Sequence, residues 1–124
     1  MGAPGAAASS FRGVFSVDVS NRGGVRLVRV SGDLDLTTAP QLTQALGDTD
    51  GLSGVVLDFA GVGFMSSAGV SAVSGLQRRL RERGGVLVIA GAKADVAMLL
   101  EVTGLAAHVT MAPDADAALA QLSG

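Results

Sequence analysis

The chain has 124 residues, a net charge of −2 and no cysteine. This length fits a single domain that buries about two thirds of the surface its unfolded chain exposes. The lack of cysteine excludes disulfides and thiolate metal sites. Nine basic and eleven acidic residues give no general attraction to nucleic acid, and no apolar run reaches the roughly 18 residues that a membrane-spanning helix needs.

The first residues, MGAPGAAASSFRG, differ in composition from the rest of the chain. Small side chains dominate, and the segment has neither the positively charged start nor the apolar core of a signal peptide. Gly2 is where a myristoylation signal needs glycine, but Ala6 stands where that signal needs Ser or Thr. We therefore expect residues 1–13 to form a flexible tail, residues 14–124 to form one domain, and the protein to be cytoplasmic.

Two alternating segments open the domain. VFSVDVS alternates apolar and polar residues, and VRLVRVSGDL does so again after the turn-like sequence SNRGG. This alternation is typical of a β-hairpin with one face towards solvent.

Helix and strand patterns then alternate. TTAPQLTQAL predicts a helix capped by Thr37 or Thr38, with Pro40 in its first turn. The apolar run 55–57 indicates a strand buried on both faces. The next helix has apolar residues three or four positions apart, with arginines mostly on its other side: Val70, Val73, Leu76 and Leu80 against Arg78, Arg79, Arg81 and Arg83.

The remaining segments continue this alternation. VLVIAGA predicts a second buried strand, KADVAMLLEVTG a helix ending at Gly104, HVTMA a short strand near a sheet edge, and PDADAALAQLSG a last helix. The element order is β-β-α-β-α-β-α-β-α. It predicts an α/β fold in which helices pack against a mixed sheet of about five strands.

The segment GVGFMSSAGVSAV does not match a known phosphate-binding loop. Ser66 occupies the third glycine position of the dinucleotide fingerprint G-x-G-x-x-G, and the segment has no lysine for a P-loop. We interpret Gly61, Gly63 and Gly69 as residues of tight turns.

The same segment is a poor match to a catalytic turn. The nucleophile elbow G-x-S-x-G would need glycine where Met65 stands, and His108 is the one imidazole in the sequence. A small hydrolase that uses Ser67 is an alternative that an activity screen with a Ser67→Ala control would test. The expectation is that the chain is not an enzyme and has no catalytic, metal or cofactor site.

Two adjacent serines stand where the buried strand meets the following helix. The hydroxyl of Ser66 can cap the helix by accepting from the N–H of Ala68 or Gly69. Ser67 is then the first helical residue, and its hydroxyl lies at the positive end of the helix dipole, where a phosphate is favoured. Because one cap needs one hydroxyl, capping explains Ser66 and leaves Ser67 unexplained.

Two carboxylates lie at the end of the second predicted strand, in SGDLDLTTAPQL. Asp33 and Asp35 have two interpretations. In the first, one caps the following helix and the other is solvated. In the second, they line a polar surface beside the serine turn.

Three segments resemble one protein family. VSGDLDLTTAPQL is similar to the family pattern V-x-G-[ED]-L-D, and VVLDFAGVGFMSSAGVSAV to a strand that runs through D-S-[SAT]-G-[LV] into a helix. RGGVLVIAGA followed by LLEVTGL is similar to the elements that close such domains. Over about residues 14–122 the chain resembles STAS domains, and most of all the bacterial anti-anti-sigma factors, or anti-sigma factor antagonists.

The resemblance implies a function for the serine turn. It implies that the protein binds an anti-sigma factor of the serine kinase type, so freeing a sigma factor, and that phosphorylation of Ser67 switches it off. It implies no direct contact with nucleic acid or a membrane, and a monomer or weak homodimer is expected. The implied partner-binding residues are Asp33, Asp35, Thr37, Ser66, Ser67 and Ala68.

One residue departs from the family pattern, since Ser66 stands where the family has Asp. Serine also caps helices, so the capping chemistry is kept. The missing carboxylate leaves a second interpretation open, in which the chain is a STAS module that is never phosphorylated. Such a module could be the cytoplasmic component of a lipid or anion transport complex.

Overall fold

The computed structural model describes residues 14–123, so the predicted tail 1–13 lies outside the described residues. The elements follow the predicted order, with one additional 3-10 turn after the third helix. They are β1 (Ser16–Arg22), β2 (Val25–Leu34), α1 (Ala39–Leu46), β3 (Gly54–Met65), α2 (Ser67–Glu82), β4 (Val86–Ala90), α3 (Ala94–Val102), the 3-10 turn (Leu105–Ala107), β5 (Thr110–Ala112) and α4 (Ala115–Ser123).

The strands form one sheet in the order β1-β2-β3-β4-β5. β1 pairs with β2 antiparallel through a turn at Gly23, whose φ of +63° favours glycine. The other strand pairs are parallel, because a helix connects each strand to the next. The predicted α/β fold with a mixed sheet is therefore confirmed, and β5 is the short edge strand that its sequence predicts.

Helices cover both faces of the sheet. Leu57 and Ile89 belong to the larger apolar core, which contains residues of α1, α2 and α3, while Val56 and Val88 belong to a smaller core with α4. Neighbouring residues of a strand point to opposite faces. This explains the continuous apolar run 55–57, all of it fully buried.

β3 is longer than its sequence pattern indicates, because it contains two irregularities. Its register against β2 shifts between Arg29 and Ser31 and again between Gly32 and Asp33. Each shift is the signature of a β-bulge, which inserts an extra residue and resets the alternation of side chains. Three buried residues of β3 consequently stand three positions apart instead of two: Phe59, Val62 and Met65.

The prediction that Gly61 and Gly63 form tight turns is wrong. Both lie in extended β3, and neither has a positive φ. At Gly61 the reason for glycine is a close contact across the sheet, since an added Cβ would collide with Oγ of Ser31. Around Gly63 the surface is open.

Within residues 14–123, no helix combines the length and the apolar character that crossing a membrane requires.

Candidate functional site

Ser66 links the start of α2 to the end of β2. Its backbone is extended, with φ −97° and ψ 175°, and its Oγ accepts from the N–H of Gly69 at 3.5 Å. Its own N–H donates to the carbonyl of Leu34 at 2.9 Å. Ser66 therefore occupies the N-cap position of α2 and holds this helix end against the neighbouring strand.

Ser67 is the first residue of α2 and is exposed. Among the residues that the structure describes, none forms a hydrogen bond with its Oγ. The hydroxyl stands beside the free N–H groups and the positive end of a helix that is 16 residues long. The hydroxyl is therefore accessible to reactants in solvent, and it lies where added negative charge is stabilised.

Gly69 lies inside α2, so its interpretation as a turn residue is also wrong. A Cβ there would stand 2.7 Å from the carbonyl oxygen of Leu34 and 3.0 Å from Cγ of the same residue. Glycine is needed because the first turn of α2 packs directly on the end of β2. This close packing sets the position of Ser67 relative to the loop that follows β2.

Asp35 caps the loop between β2 and α1. Its Oδ1 accepts from the N–H of Thr37 at 3.0 Å and from the N–H of Thr38 at 3.1 Å. The Asp33 carboxylate is half-buried and forms no hydrogen bond with any described residue. The first interpretation of the aspartate pair therefore holds only in part. Asp35 caps the turn before α1, whose N-cap residue is Thr38, and Asp33 is half-buried and not fully solvated.

Thr38 does not cap α1 with its side chain, in contrast to the prediction. It occupies the N-cap position, but its φ and ψ of −93° and −21° are helical and not extended, and its side chain forms no capping hydrogen bond. Its Oγ1 instead donates to the carbonyl of Asp33 at 2.7 Å and accepts from the N–H of Asp35 at 2.9 Å. Thr38 therefore stabilises the loop, while Pro40 lies in the first turn of α1 as predicted.

We expect Thr38→Val to destabilise the domain by about 1–3 kcal/mol. The substitution keeps the shape but leaves the partly buried backbone groups of Asp33 and Asp35 without their hydrogen-bond partner. Urea unfolding measures the effect. Thr37→Val is the matched control, because Thr37 is exposed and its change should stay within about 0.5 kcal/mol. Equal losses for the two variants would contradict this role of Thr38.

The structure brings the segment SGDLDLTTAPQL and the serine turn to one edge of the sheet. Leu34 lies opposite Met65 in the parallel register, and the hydrogen bond from Ser66 to Leu34 closes the gap between the two chain segments. Ligands of α/β sheets commonly bind at this edge, outside the carboxyl ends of the strands. The edge holds Asp33, Asp35, Thr37, Ser66, Ser67 and Ala68.

An apolar groove of about 690 Å³ adjoins this edge, between α1 and α2. We call it the α1–α2 groove. Leu36 is 79% exposed and adds apolar surface to the rim of this groove. The sequence patterns did not predict this groove, although Leu36 within the polar stretch DLDLTT is a visible signal. The groove is lined by Leu36, Ala39, Pro40, Thr43, Gln44, Ala68, Ser71 and Ala72.

The described residues give little support to a hydrolase or to a metal site. His108 lines cavities along α2 with Ser74, Gln77 and Arg81, and it forms no hydrogen bond with Ser67. Within residues 14–123, the pair of Ser67 and His108 that a hydrolase would use is therefore not formed. Between residues 14 and 123, no cluster of His, Asp and Glu side chains is suited to hold a metal ion.

We expect Ser66→Ala to destabilise the domain by about 0.5–2 kcal/mol, the usual loss for an N-cap hydroxyl. The long 3.5 Å contact with Gly69 places the value near the lower limit. Ser66→Asp should be neutral or slightly stabilising, because a carboxylate interacts favourably with a helix N-terminus. Denaturant midpoints of the three proteins measure this, and the same midpoint for Ser66→Ala and the parent would contradict the capping role.

Comparison with known proteins agrees with this architecture. The STAS domain family model matches residues 16–118. The anti-sigma-B factor antagonist of Listeria monocytogenes is 36% identical over 78 residues, covering 61% of this chain and 68% of the relative.

Two solved structures share the fold. An anti-sigma factor antagonist from Mycobacterium paratuberculosis has a TM-score of 0.79 at 28% identity, covering 89% of this chain and 95% of that one. A sulfate transporter family protein from Wolinella succinogenes has a TM-score of 0.74 at 19% identity, covering 84% and 88%, and its likeness concerns the fold alone. The chain therefore belongs to the STAS domain family, with anti-sigma factor antagonists as its relatives in sequence.

Proposed function

We propose that this protein is an anti-sigma factor antagonist controlled at Ser67. It binds a kinase-type anti-sigma factor with the sheet edge around the serine turn, and this binding frees a sigma factor. Phosphorylation of Ser67 by the bound kinase ends the interaction. The observation that supports this proposal is the exposed Ser67 hydroxyl, without a hydrogen-bond partner among the described residues, on the first residue of α2.

The surroundings of Ser67 favour a phosphorylated product. The free N–H groups of the first turn of α2 can donate hydrogen bonds to the oxygens of a phosphate. The neighbouring cap, Ser66, is uncharged, so no carboxylate on that residue repels the new charge. Phosphorylation should therefore change the surface while the domain stays folded.

The α1–α2 groove supports a protein partner. Interfaces depend on a few apolar anchors in pockets, surrounded by polar residues. Here the groove and the exposed Leu36 supply apolar surface, while Thr43, Gln44 and Ser71 supply polar groups along the groove. The names of the sequence relatives agree with an anti-sigma factor as the partner.

Capture and phosphate mapping test the proposal. Tagged protein is used to isolate its partner from a native lysate, the partner is identified by mass spectrometry, and the purified pair is incubated with ATP. Phosphate is expected on Ser67, with Ser67→Ala blocking transfer and Ser66→Ala permitting it.

A second candidate function rests on Ser66, which stands where the family has Asp. A complex that forms without phosphate on either serine would assign the chain to the STAS modules that are never phosphorylated, as in a lipid or anion transport complex. The cytoplasmic location and the monomeric or weakly dimeric state stay predictions. Fractionation of cells and sedimentation of the purified protein measure them.

A further inference from the structure

A second groove runs along α2, on the side that faces the 3-10 turn and β5. Three adjoining cavities of about 290, 150 and 160 Å³ form it, and His108 lines all of them. We call it the α2–β5 groove. Its wall on α2 is made by residues with helical spacing: Val70, Ser74, Gln77, Arg78 and Arg81.

The α2–β5 groove is cationic in a protein whose net charge is −2. The guanidinium groups of Arg78 and Arg81 supply the charge, and no carboxylate lines any of its three cavities. Nη1 of Arg78 donates to Oγ of Ser74 at 3.0 Å, which holds the guanidinium along the groove. Arg83, by contrast, already pairs with a carboxylate outside the groove.

Gln77 adds a polar group that has no assigned task in the fold. The residue as a whole is only 8% exposed, yet it lines two of the cavities. Within the described part of the chain, no residue forms a hydrogen bond with its amide. An amide offers two donors and one acceptor, which suits the backbone of an extended peptide.

We infer that the α2–β5 groove binds an extended acidic segment of the protein partner. Carboxylates of the segment pair with Arg78 and Arg81, because charge-assisted hydrogen bonds are stronger than those between neutral groups. The backbone of the segment forms hydrogen bonds with the amide of Gln77. From Val70 to Arg81 the helix spans about 16 Å, which accommodates about five extended residues.

The position of the groove connects it to the serine turn. Val70 follows Ser67 by one turn of α2, so a segment in the groove extends the interface proposed above. The identity of the partner thus rests on the proposed function, whereas the preference for acidic peptide rests on the groove itself.

Peptide titration tests the preference directly. The ¹⁵N-labelled protein is titrated with the peptide acetyl-Leu-Glu-Glu-Glu-Leu-amide, its Gln analogue and inorganic phosphate. We expect the Glu peptide to shift the amide signals of Ser74, Gln77 and His108. The double variant Arg78→Gln/Arg81→Gln should bind it about ten-fold more weakly, while Arg79→Gln, a neighbouring arginine outside the groove, should bind it unchanged.

Three results would overturn the inference. They are equal shifts with the Gln analogue, equal shifts with phosphate alone, and an equal loss in the Arg79 variant. The anti-sigma factor provides a separate test. If it binds the double variant as tightly as the parent but fails to bind Ser67→Asp, the groove is not part of the interface and the proposed function is unaffected. Failure of every form to bind an anti-sigma factor would instead refute the proposed function, and the titration would still decide the chemistry of the groove.

Discussion

Phosphorylation of Ser67 is expected to weaken binding of the anti-sigma factor about a hundred-fold while the domain stays folded. The phosphate adds about −1.5 to −2 charges at neutral pH. A partner carboxylate about 5 Å away would be repelled by roughly 3 kcal/mol per unit charge at an effective dielectric constant of 20. That repulsion corresponds to about two decades of affinity, before any steric clash with the partner.

Variants of Ser67 measure this effect in one titration. Ser67→Ala should bind like the parent and accept no phosphate. Ser67→Asp should bind at least about ten-fold more weakly, since one carboxylate imitates a phosphate only in part. Ser20→Asp is the matched control, because it adds the same charge on exposed β1 and should leave binding unchanged.

Stability separates loss of binding from loss of structure. Ser67→Asp should unfold at the same denaturant concentration as the parent or a slightly higher one, because its carboxylate lies at a helix N-terminus. Parent-like affinity of this variant would show that charge at Ser67 does not control the complex. A large loss of stability would show that Ser67 supports the fold.

Local patterns were sufficient to predict most of the fold. The apolar run 55–57 identified a strand buried on both faces because both cores need apolar residues there. Gly104 was expected to end α3, and its φ of +85° follows that helix directly. In each case the physical cause lies within a few residues of the signal.

Features that depend on distant contacts could not be predicted in this way. The bulges of β3 are defined by pairing with β2, so a window containing only Gly61 and Gly63 resembles a turn. Glycine is needed at position 69 because the first turn of α2 packs on Leu34, which belongs to β2 and is distant in the sequence. The α1–α2 groove exists only once both helices pack on the sheet.

Two alanine substitutions in α2 are expected to have opposite effects on stability. Alanine normally favours a helix over glycine by about 1 kcal/mol. At Gly75 the added Cβ would meet only Nη1 of Arg79 at 3.6 Å, an ordinary contact with a flexible side chain. Gly75→Ala should therefore stabilise the domain by about 0.5–1 kcal/mol.

At Gly69 the same methyl group meets the backbone. Its Cβ would stand 2.7 Å from the carbonyl oxygen of Leu34 and 3.1 Å from Cγ of Met65, and neither β2 nor β3 can shift without disturbing the core. Forced overpacking costs about 1–3 kcal/mol. Contact with a backbone atom places the cost in the upper part of this range, about 2–3 kcal/mol, which exceeds the gain in helix propensity of about 1 kcal/mol. The helix start should move outwards and stretch the 2.9 Å hydrogen bond between Ser66 and Leu34.

Gly69→Ala is therefore expected to lower stability by about 1–2 kcal/mol and also to weaken partner binding, since it displaces Ser67 from the sheet edge. Gly75→Ala should leave binding unchanged. Urea midpoints and titration with the anti-sigma factor measure both effects in the same preparations. If Gly69→Ala were as stable as Gly75→Ala, the end of β2 would not hold α2 in place, and the position of Ser67 would need another cause.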